Sequence, residues 1–272
     1  MTFSKLGLAT LALCGAAMSA HATVWTLGDR NSTTDINDAT SGGMTNWTID
    51  GMDQIFQQWF WYRVGPAGPE RSIDTLNFGG AFASDTNPFV DNRADTLALM
   101  YVDPAGRFNI QPSWTLRGGA AGSNRSDVTE AIVINNTSNQ PLPFHFFQYC
   151  DFDLGGSSGG DNVGIPGPLH NTAIQSDGGF AMSETVVTPQ PSHYAVGPYP
   201  SILNLLQNGV ADDLPDFAGP LFNVDGTWGF QWDFLIQPGS SAIISKDKGF
   251  VPAPGAMGLL GLGALAVARR RR

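Results

Sequence analysis

The stretch Thr-Trp-Gly-Phe-Gln-Trp-Asp-Phe-Leu-Ile, residues 227–236, decides the fold class of this chain. Large apolar side chains stand at every second position, and glycine or a polar residue separates most of them. The apolar row consists of Trp228, Phe230, Trp232, Phe234 and Ile236. Because successive side chains of a strand point to opposite faces, this alternation predicts a half-buried antiparallel strand with one aromatic core row.

Turn-rich segments separate further strand patterns and predict four hairpins. The predicted hairpins pair Thr227–Ile236 with Ser241–Lys246, Val128–Asn135 with Pro143–Leu154, Thr96–Val102 with Phe108–Leu116, and Asn171–Ile174 with Phe180–Val187. Asp53–Val64 is predicted as a central strand that is buried on both faces. One helix is expected over Ser201–Asn208, with Ser201 as its N-cap and Gly209 after its end. The fold class is therefore all-β, an antiparallel β-sandwich of jelly-roll type.

The net charge limits the classes of partner that the chain can bind, and its cysteine content limits the disulfides that it can form. Residues 23–251 contain 9 basic and 24 acidic side chains, a net charge of −15. Such a body repels phosphate backbones, so no nucleic-acid partner is expected, and cations are the favoured charged partners. One cysteine, Cys14, lies near the N-terminus, which leaves Cys150 as the single thiol of the body and excludes an internal disulfide there.

The N-terminal segment has the three parts of a secretory signal peptide. Lys5 precedes an apolar run from Leu6 to Met18, and the segment ends on Ala20-His21-Ala22. This order predicts export and cleavage after Ala22. A lipoprotein signal ending at Cys14 is the alternative, although Leu13 stands where such a motif prefers a small residue. The first domain boundary is thus placed at 1–22.

At the other end, Val251-Pro252-Ala253-Pro254 precedes an apolar stretch from Gly255 to Ala268 and the terminal cluster Arg269, Arg270, Arg271 and Arg272. This order resembles the PEP-CTERM sorting signal, with Ala253 where that motif has glutamate. The resemblance implies an exosortase-like enzyme as partner and release of the body at the cell surface or into an extracellular matrix or biofilm. The 14 apolar residues of a helix reach only about 21 Å, which favours a transient transmembrane helix over a permanent anchor.

The predicted domains are 1–22, a single β-sandwich over 23–250, and the sorting signal over 251–272. One face of the strand Pro143–Leu154 carries His145, Phe147 and Tyr149. Aromatic and polar groups on one sheet face are typical of sugar binding, so these three residues are candidate ligand contacts. The alternative is that the two rings lie under a loop or a second sheet as ordinary packing.

Carboxylates at the end of the same strand suggest a metal site. Asp151 and Asp153 precede a glycine-rich loop that ends at Asp161. Calcium prefers such oxygen ligands, and calcium is the only cofactor expected. The alternative is a solvated turn, because the spacing does not match the calcium loop of an EF-hand.

No motif for catalysis is present in the body. Zinc-ligand spacings, a nucleophile elbow and a phosphate-binding glycine loop are all missing, and the only glutamates are Glu70, Glu130 and Glu184. The expectation is therefore a structural or adhesive surface protein with no catalytic residues and with extracellular polysaccharide as a candidate partner. Two alternatives stay open: a calcium-dependent carbohydrate-binding module and a secreted glycan-active enzyme.

Overall fold

The computed structural model describes residues 23–253, which form two packed antiparallel sheets. The predicted cleavage residues Ala20 and Ala22, the sorting residue Pro254 and the arginines 269–272 lie outside the described residues. The strands of the first half are β1 Val24–Asp29, β2 Ser32–Asn37, β3 Met44–Ile49, β4 Met52–Asp53, β5 Gln57–Val64, β6 Arg71–Ser72, β7 Asn77–Ser84, β8 Thr96–Val102 and β9 Phe108–Gly118. Those of the second half are β10 Ser126–Asn136, β11 Leu142–Asp151, β12 Asp161–Gly164, β13 Thr172–Asp177, β14 Phe180–Thr188, β15 His193–Pro198, β16 Leu221–Val224, β17 Gly226–Ile236 and β18 Ser241–Pro252.

The first sheet has the order β1-β2-β3-β5-β11-β17-β15, with β4 beside β3 and β6 beside β5. The second sheet has the order β16-β12-β13-β14-β18-β10-β9-β8-β7. The predicted all-β antiparallel sandwich is confirmed. Two predicted hairpins, β8 with β9 and β13 with β14, form as expected.

The other two predicted hairpins are wrong. Strands β10 and β11 are consecutive in the chain but belong to different sheets, and so do β17 and β18. Strand β18 pairs with β10 and β14, while β17 pairs with β11 and β15. The turn residues 136–141 and 237–240 mark a reversal of the chain, but a reversal can lead to the neighbouring strand or across to the other layer.

The aromatic row of β17 lies in the core between the sheets. Trp228, Phe230 and Trp232 are fully buried, whereas Phe234 is half-buried. Directly beside this row, Phe146 pairs with Trp232 across the sheet. Strand β5 is buried along nearly all its length, as expected, but it begins at Gln57 and leaves Phe56 exposed.

Four charged side chains are also buried between the sheets. Glu130 of β10, Glu184 of β14, and Lys246 and Lys248 of β18 are almost wholly inaccessible. Lys246 and Lys248 each lie 2.6 Å from an oxygen of Glu130, and 3.3 and 3.5 Å from Glu184 Oε1. Burial alone raises the pKa of Glu184, but the two ammonium groups outweigh it and lower that pKa to about 2. The interior therefore holds a balanced network of two cations and two anions.

Helix α1, Ser201–Gln207, forms at the predicted place, and Gly209 after it has a φ of +85°. Its N-cap is Pro200, and the Ser201 hydroxyl donates to the Pro198 carbonyl, so the predicted cap by Ser201 is wrong. The helix packs on β15 and β17. Within residues 23–253, the structure contains no helix with the length and apolar character needed to cross a membrane.

Candidate active site

Neighbouring strands of the first sheet bring charged side chains together on its outer face. His145 of β11 is the direct cross-strand partner of Arg63 on β5 and of Asp233 on β17. His193 of β15 is in turn the partner of Gln231 on β17. Directly opposed residues of an antiparallel pair share one face, so the register alone places these groups side by side.

Two imidazoles and two carboxylates form a continuous chain in this cluster. His145 Nδ1 lies 2.6 Å from Asp233 Oδ1. His193 Nε2 lies 3.4 Å from the other oxygen of Asp233, and His193 Nδ1 lies 3.0 Å from an oxygen of Asp216. The exposed fractions of the His145, His193 and Asp233 side chains are 20%, 30% and 32%. The acid–base groups are thus held in place and still reachable from solvent.

Arg63 supports the cluster from beneath. Its guanidinium contacts Asp213 at 2.8 Å and Glu70 at 2.7 Å, and its side chain is only 5% exposed. The Gln231 amide donates to both Asp213 and Asp233, at 2.7 and 2.9 Å. The Gln231 amide therefore fixes the distance between the Asp213 and Asp233 carboxylates. Asp213 lies in the loop after α1.

Hydrogen bonding keeps these two carboxylates ionised. Burial raises the pKa of Asp233, but hydrogen bonds from His145 and Gln231 outweigh burial, so the pKa lies below its usual value. Burial likewise raises the pKa of Asp213, and hydrogen bonds from Gln231 and Arg63 lower it overall. In contrast, burial leaves the pKa of Glu70 above its usual value. Asp213 and Asp233 of the site are therefore ionised at neutral pH.

The same cluster also has the geometry for a metal ion. One ligand atom each from His145, Asp213 and Asp233 lie within 4.8 Å of one another. A mixed nitrogen and oxygen set suits a transition metal better than calcium. One nitrogen of His145 and one oxygen of Asp233 are already engaged in the hydrogen bond between them. This arrangement favours proton transfer over metal binding as the function of these side chains.

The three predicted ligand contacts have different surroundings. His145 belongs to the cluster, whereas Phe147 and Tyr149 are fully buried and offer no ring to a ligand. The Arg63 guanidinium lies 5.8 Å from the centre of the Phe147 ring. Tyr149 is paired with Gly229, and Ile202 of α1 and Leu214 lie over that glycine. The expected sugar-stacking platform is therefore packed under a helix and a loop.

The predicted metal ligands are partly brought together. Asp151, at the end of β11, and Asp153 lie close to Asp225, which the sequence pattern did not indicate as a ligand. Asp161 lies outside this group of oxygens and accepts a hydrogen bond from the Gly226 amide. Burial raises the pKa of Asp151 to about 7.

Several residues of the acid–base cluster were not predicted as site residues: Arg63, His193, Asp213, Asp216, Gln231 and Asp233. Part of the signal was available, because Gln231 and Asp233 alternate with the aromatic row of β17 and must face away from the core. A search for catalytic motifs misses them because they lie on β5, β15, β17 and the loop after α1. These segments are far apart in the sequence and meet only in the folded sheet.

A large cavity among the described residues lies elsewhere. It has a volume of about 780 Å³ on the second sheet, between β12, β13, β14 and β18. Its lining is mainly apolar, and His170 is its only titratable side chain. A cavity with a single titratable group lacks an acid–base pair, so it is not the candidate active site.

Comparison with protein families identifies the C-terminal segment. Residues 250–272 match the model of the PEP-CTERM protein-sorting motif. The chain thus carries this sorting motif, which implies export, processing by an exosortase-like enzyme and a transient membrane anchor. No curated protein matches the chain.

Solved structures share the fold of the body. A protein assigned as an aldose 1-epimerase from Escherichia coli K12 aligns with a TM-score of 0.55 and 12% identity, over 86% of this chain and 100% of that one. The galactose 1-epimerase from Lactobacillus acidophilus NCFM aligns with a TM-score of 0.50 and 10% identity, over 84% and 94%. A bacterial glucoamylase in complex with acarbose aligns with a TM-score of 0.54 and 9% identity, over 91% of this chain. This chain spans only 36% of the glucoamylase.

These similarities correct the functional expectation. The main interpretation, a structural or adhesive body without catalysis, is contradicted, because the solved structures that share this fold include sugar 1-epimerases and a glucoamylase. The expectation that the chain is not an enzyme fails for the same reason. It rested on the absence of local motifs, and the acid–base groups of this sheet come from four strands and a loop that are distant in sequence.

Proposed function

We propose that this chain is an exported glycan-active enzyme that interconverts the anomers of an aldose at the His145, Asp233 and His193 cluster. The observation that carries the proposal is the 2.6 Å contact between His145 Nδ1 and Asp233, with His193 on the other oxygen of the same carboxylate. The structural similarity to sugar 1-epimerases supports the same class of substrate.

The carboxylate defines the role of each imidazole. An ionised Asp233 accepts the Nδ1 proton of His145 in a hydrogen bond, so Nε2 of a neutral His145 is free to take a proton from a substrate hydroxyl. Nδ1 of His193 is hydrogen-bonded to Asp216 at 3.0 Å, whereas its Nε2 lies 3.4 Å from Asp233 without a hydrogen bond to it, so a proton carried on Nε2 can pass to a substrate oxygen. The cluster thus supplies one base and one acid, each oriented by a carboxylate.

Anomer exchange needs this combination. His145 removes the proton of the C1 hydroxyl while the bond between C1 and the ring oxygen breaks, and His193 protonates that oxygen. The open-chain aldehyde rotates about the bond between C1 and C2. The ring oxygen then attacks the other face of C1, and the two protons return in the reverse sense. No atom is gained or lost, and each imidazole recovers its starting state.

Glycoside hydrolysis fits these groups less well. It requires one carboxyl group with a raised pKa as acid and a second one as base or nucleophile. Asp213 and Asp233 both have lowered pKa values. Glu70 has a raised pKa, but it is 6% exposed and tied to Arg63. Asp213, Asp233 and Glu70 therefore offer no accessible acid with a raised pKa.

The test is the mutarotation rate of freshly dissolved α-D-glucose and α-D-galactose, followed by polarimetry with the full chain purified in mild detergent. We expect saturable acceleration over buffer, and a loss of at least a hundredfold in kcat for His145→Gln, the size typical of general acid–base catalysis. His170→Gln is the matched control, because His170 lies on the apolar cavity of the second sheet.

Melting temperatures show that each variant is folded before rates are compared. Equal rates for the two histidine variants, or no acceleration by the native chain, would refute the assignment of the site. Release of reducing ends from oligosaccharides without anomer exchange would replace the proposed reaction by hydrolysis.

We also propose that export removes residues 1–22 and that sorting removes the tail near Pro252 to Pro254. Val251 and Pro252 are the last residues of β18 and pair with Ala181 and Phe180, and the Ala253 amide donates to Gly179. A cut after these residues leaves the sheet complete. Mass-spectrometric mapping of the surface form should find a terminus at Thr23 and no peptide beyond Pro254. Recovery of the peptide Gly255–Arg269 from mature protein would contradict tail removal.

A further inference from the structure

A second group of carboxylates lies at the end of β11, where the chain leaves the sheet. Asp151 is the last residue of β11, and its cross-strand partner on β17 is Thr227. Asp153 follows the end of β11 and Asp225 precedes the start of β17, so the antiparallel pairing of these strands brings both residues to the same edge. One carboxylate oxygen each from Asp151, Asp153 and Asp225 lie within 4.8 Å of one another.

Burial separates this group from an ordinary acidic surface. Asp151 is only 2% exposed. Its Oδ2 accepts a hydrogen bond from the Tyr149 hydroxyl at 3.0 Å, while no residue between 23 and 253 donates to its Oδ1. Asp161, close by and fully buried, likewise has an Oδ1 without a hydrogen-bond partner in the described structure. Asp151 therefore brings a buried oxygen with an unused lone pair to this group of carboxylates.

No basic side chain compensates the negative charge. Among the ion pairs of the described residues, none includes Asp151, Asp153, Asp161 or Asp225. The four charges between the sheets are ion-paired. The buried Asp29 and Asp38 carboxylates each accept hydrogen bonds on both oxygens instead. A buried carboxylate without a partner is unfavourable, and proteins resolve it by hydrogen bonding, by proton uptake, by ion pairing or by metal coordination.

We propose that Asp151, Asp153 and Asp225 bind a calcium ion. The available ligands are all oxygen, without histidine or cysteine, which selects a hard cation over zinc or copper. Calcium accepts irregular sets of six to eight oxygens and retains water as ligands, whereas magnesium demands near-ideal octahedral geometry. The ion would join the loop after β11 to the connection between β16 and β17.

This site is separate from the His145 cluster in both ligands and chemistry. His145 lies on the same strand as Asp151 but six residues earlier, which is about 20 Å along a strand. Calcium binding and anomer exchange can therefore fail independently. The site also differs from an EF-hand, because its ligands come from two strand ends and not from one loop.

The test is calorimetric titration of the full chain, purified in mild detergent and freed of metal with a chelator, with calcium and with magnesium at equal ionic strength. We expect one calcium per chain and weaker binding of magnesium. Asp225→Asn keeps the size of the side chain, lies at a half-buried turn, and should weaken calcium binding at least tenfold without unfolding the protein.

Two control variants locate the binding at these three carboxylates. Asp247→Asn removes one exposed carboxylate from β18 and tests general screening of an acidic protein. Asp233→Asn removes a ligand of the other candidate cluster. Calcium binding should persist in both. Absence of saturable binding, equal binding of both ions, or unchanged calcium binding in Asp225→Asn would overturn the proposal.

Discussion

Replacing Lys248 with methionine should lower the free energy of unfolding by about 3–5 kcal/mol, the cost of leaving a buried charge uncompensated. Lys248 lies 2.6 Å from Glu130 and 3.5 Å from Glu184, all three within the sandwich. Without it, Lys246 alone faces two carboxylates. Chemical denaturation of the purified chain, followed by tryptophan fluorescence, measures the change.

Two further variants separate charge balance from loss of volume. Arg107→Met breaks the ion pair with Asp103, where the arginine is 48% exposed, and should cost less than about 1 kcal/mol. The double variant Lys248→Met with Glu184→Gln removes one charge of each sign and should be more stable than Lys248→Met alone. If Lys248→Met lowers the free energy of unfolding by no more than Arg107→Met does, the four side chains do not form a buried network of paired charges.

Acid titration provides a second readout of the same network. The pKa of Glu184 is lowered to about 2 in the folded protein, against about 4.3 for an unperturbed glutamate. A carboxyl with a lowered pKa stabilises the fold above the unfolded pKa, and this stability is lost as pH falls through the folded pKa. The native chain should therefore lose stability between about pH 4 and 2, and Glu184→Gln should lack this contribution.

This network also shows where sequence patterns stop being informative. Lys246 and Lys248 alternate with Ile244 and Phe250, so all four share the inner face of β18. Charged residues in a strand normally indicate the solvent face. Here Glu130 and Glu184 come from the two strands that flank β18, and only their pairing makes burial of the lysines favourable.

Local sequence patterns also do not predict which of the two sheets each strand joins. Alternation in β17 predicts its core row, and turn residues predict where the chain reverses, but neither tells whether β18 stays beside β17. The identity of neighbours is set by contacts distant in sequence, such as β5 against β11. The candidate active site cannot be predicted for the same reason. Arg63, His145 and His193 come together only because β5, β11, β17 and β15 are neighbours in the sheet.

The face of each side chain, in contrast, is predictable. Alternation along β11 predicts that His145 lies on the face opposite Phe144 and Phe146, and the structure has it there beside Asp233. The extent of covering is not predictable, since α1 and the loop at Leu214 bury Tyr149 on that same face. A face with polar and aromatic residues thus divides into an open polar end and a covered aromatic part.

Trp232→Ala should destabilise the fold by about 3–5 kcal/mol, the usual cost of truncating a fully buried large aromatic side chain. Trp232 is fully buried, with ring centres of Phe146 and Phe230 at 6.2 Å each, and its indole nitrogen donates to the Pro189 carbonyl at 3.0 Å. The substitution therefore leaves a cavity between the sheets and an unpaired carbonyl. Leu235→Ala, on the same strand but 62% exposed, is the matched control and should change stability by less than about 0.5 kcal/mol. Denaturant midpoints compared at constant m-value give both numbers, and a loss below about 1 kcal/mol for Trp232→Ala would mean that this row does not form the core.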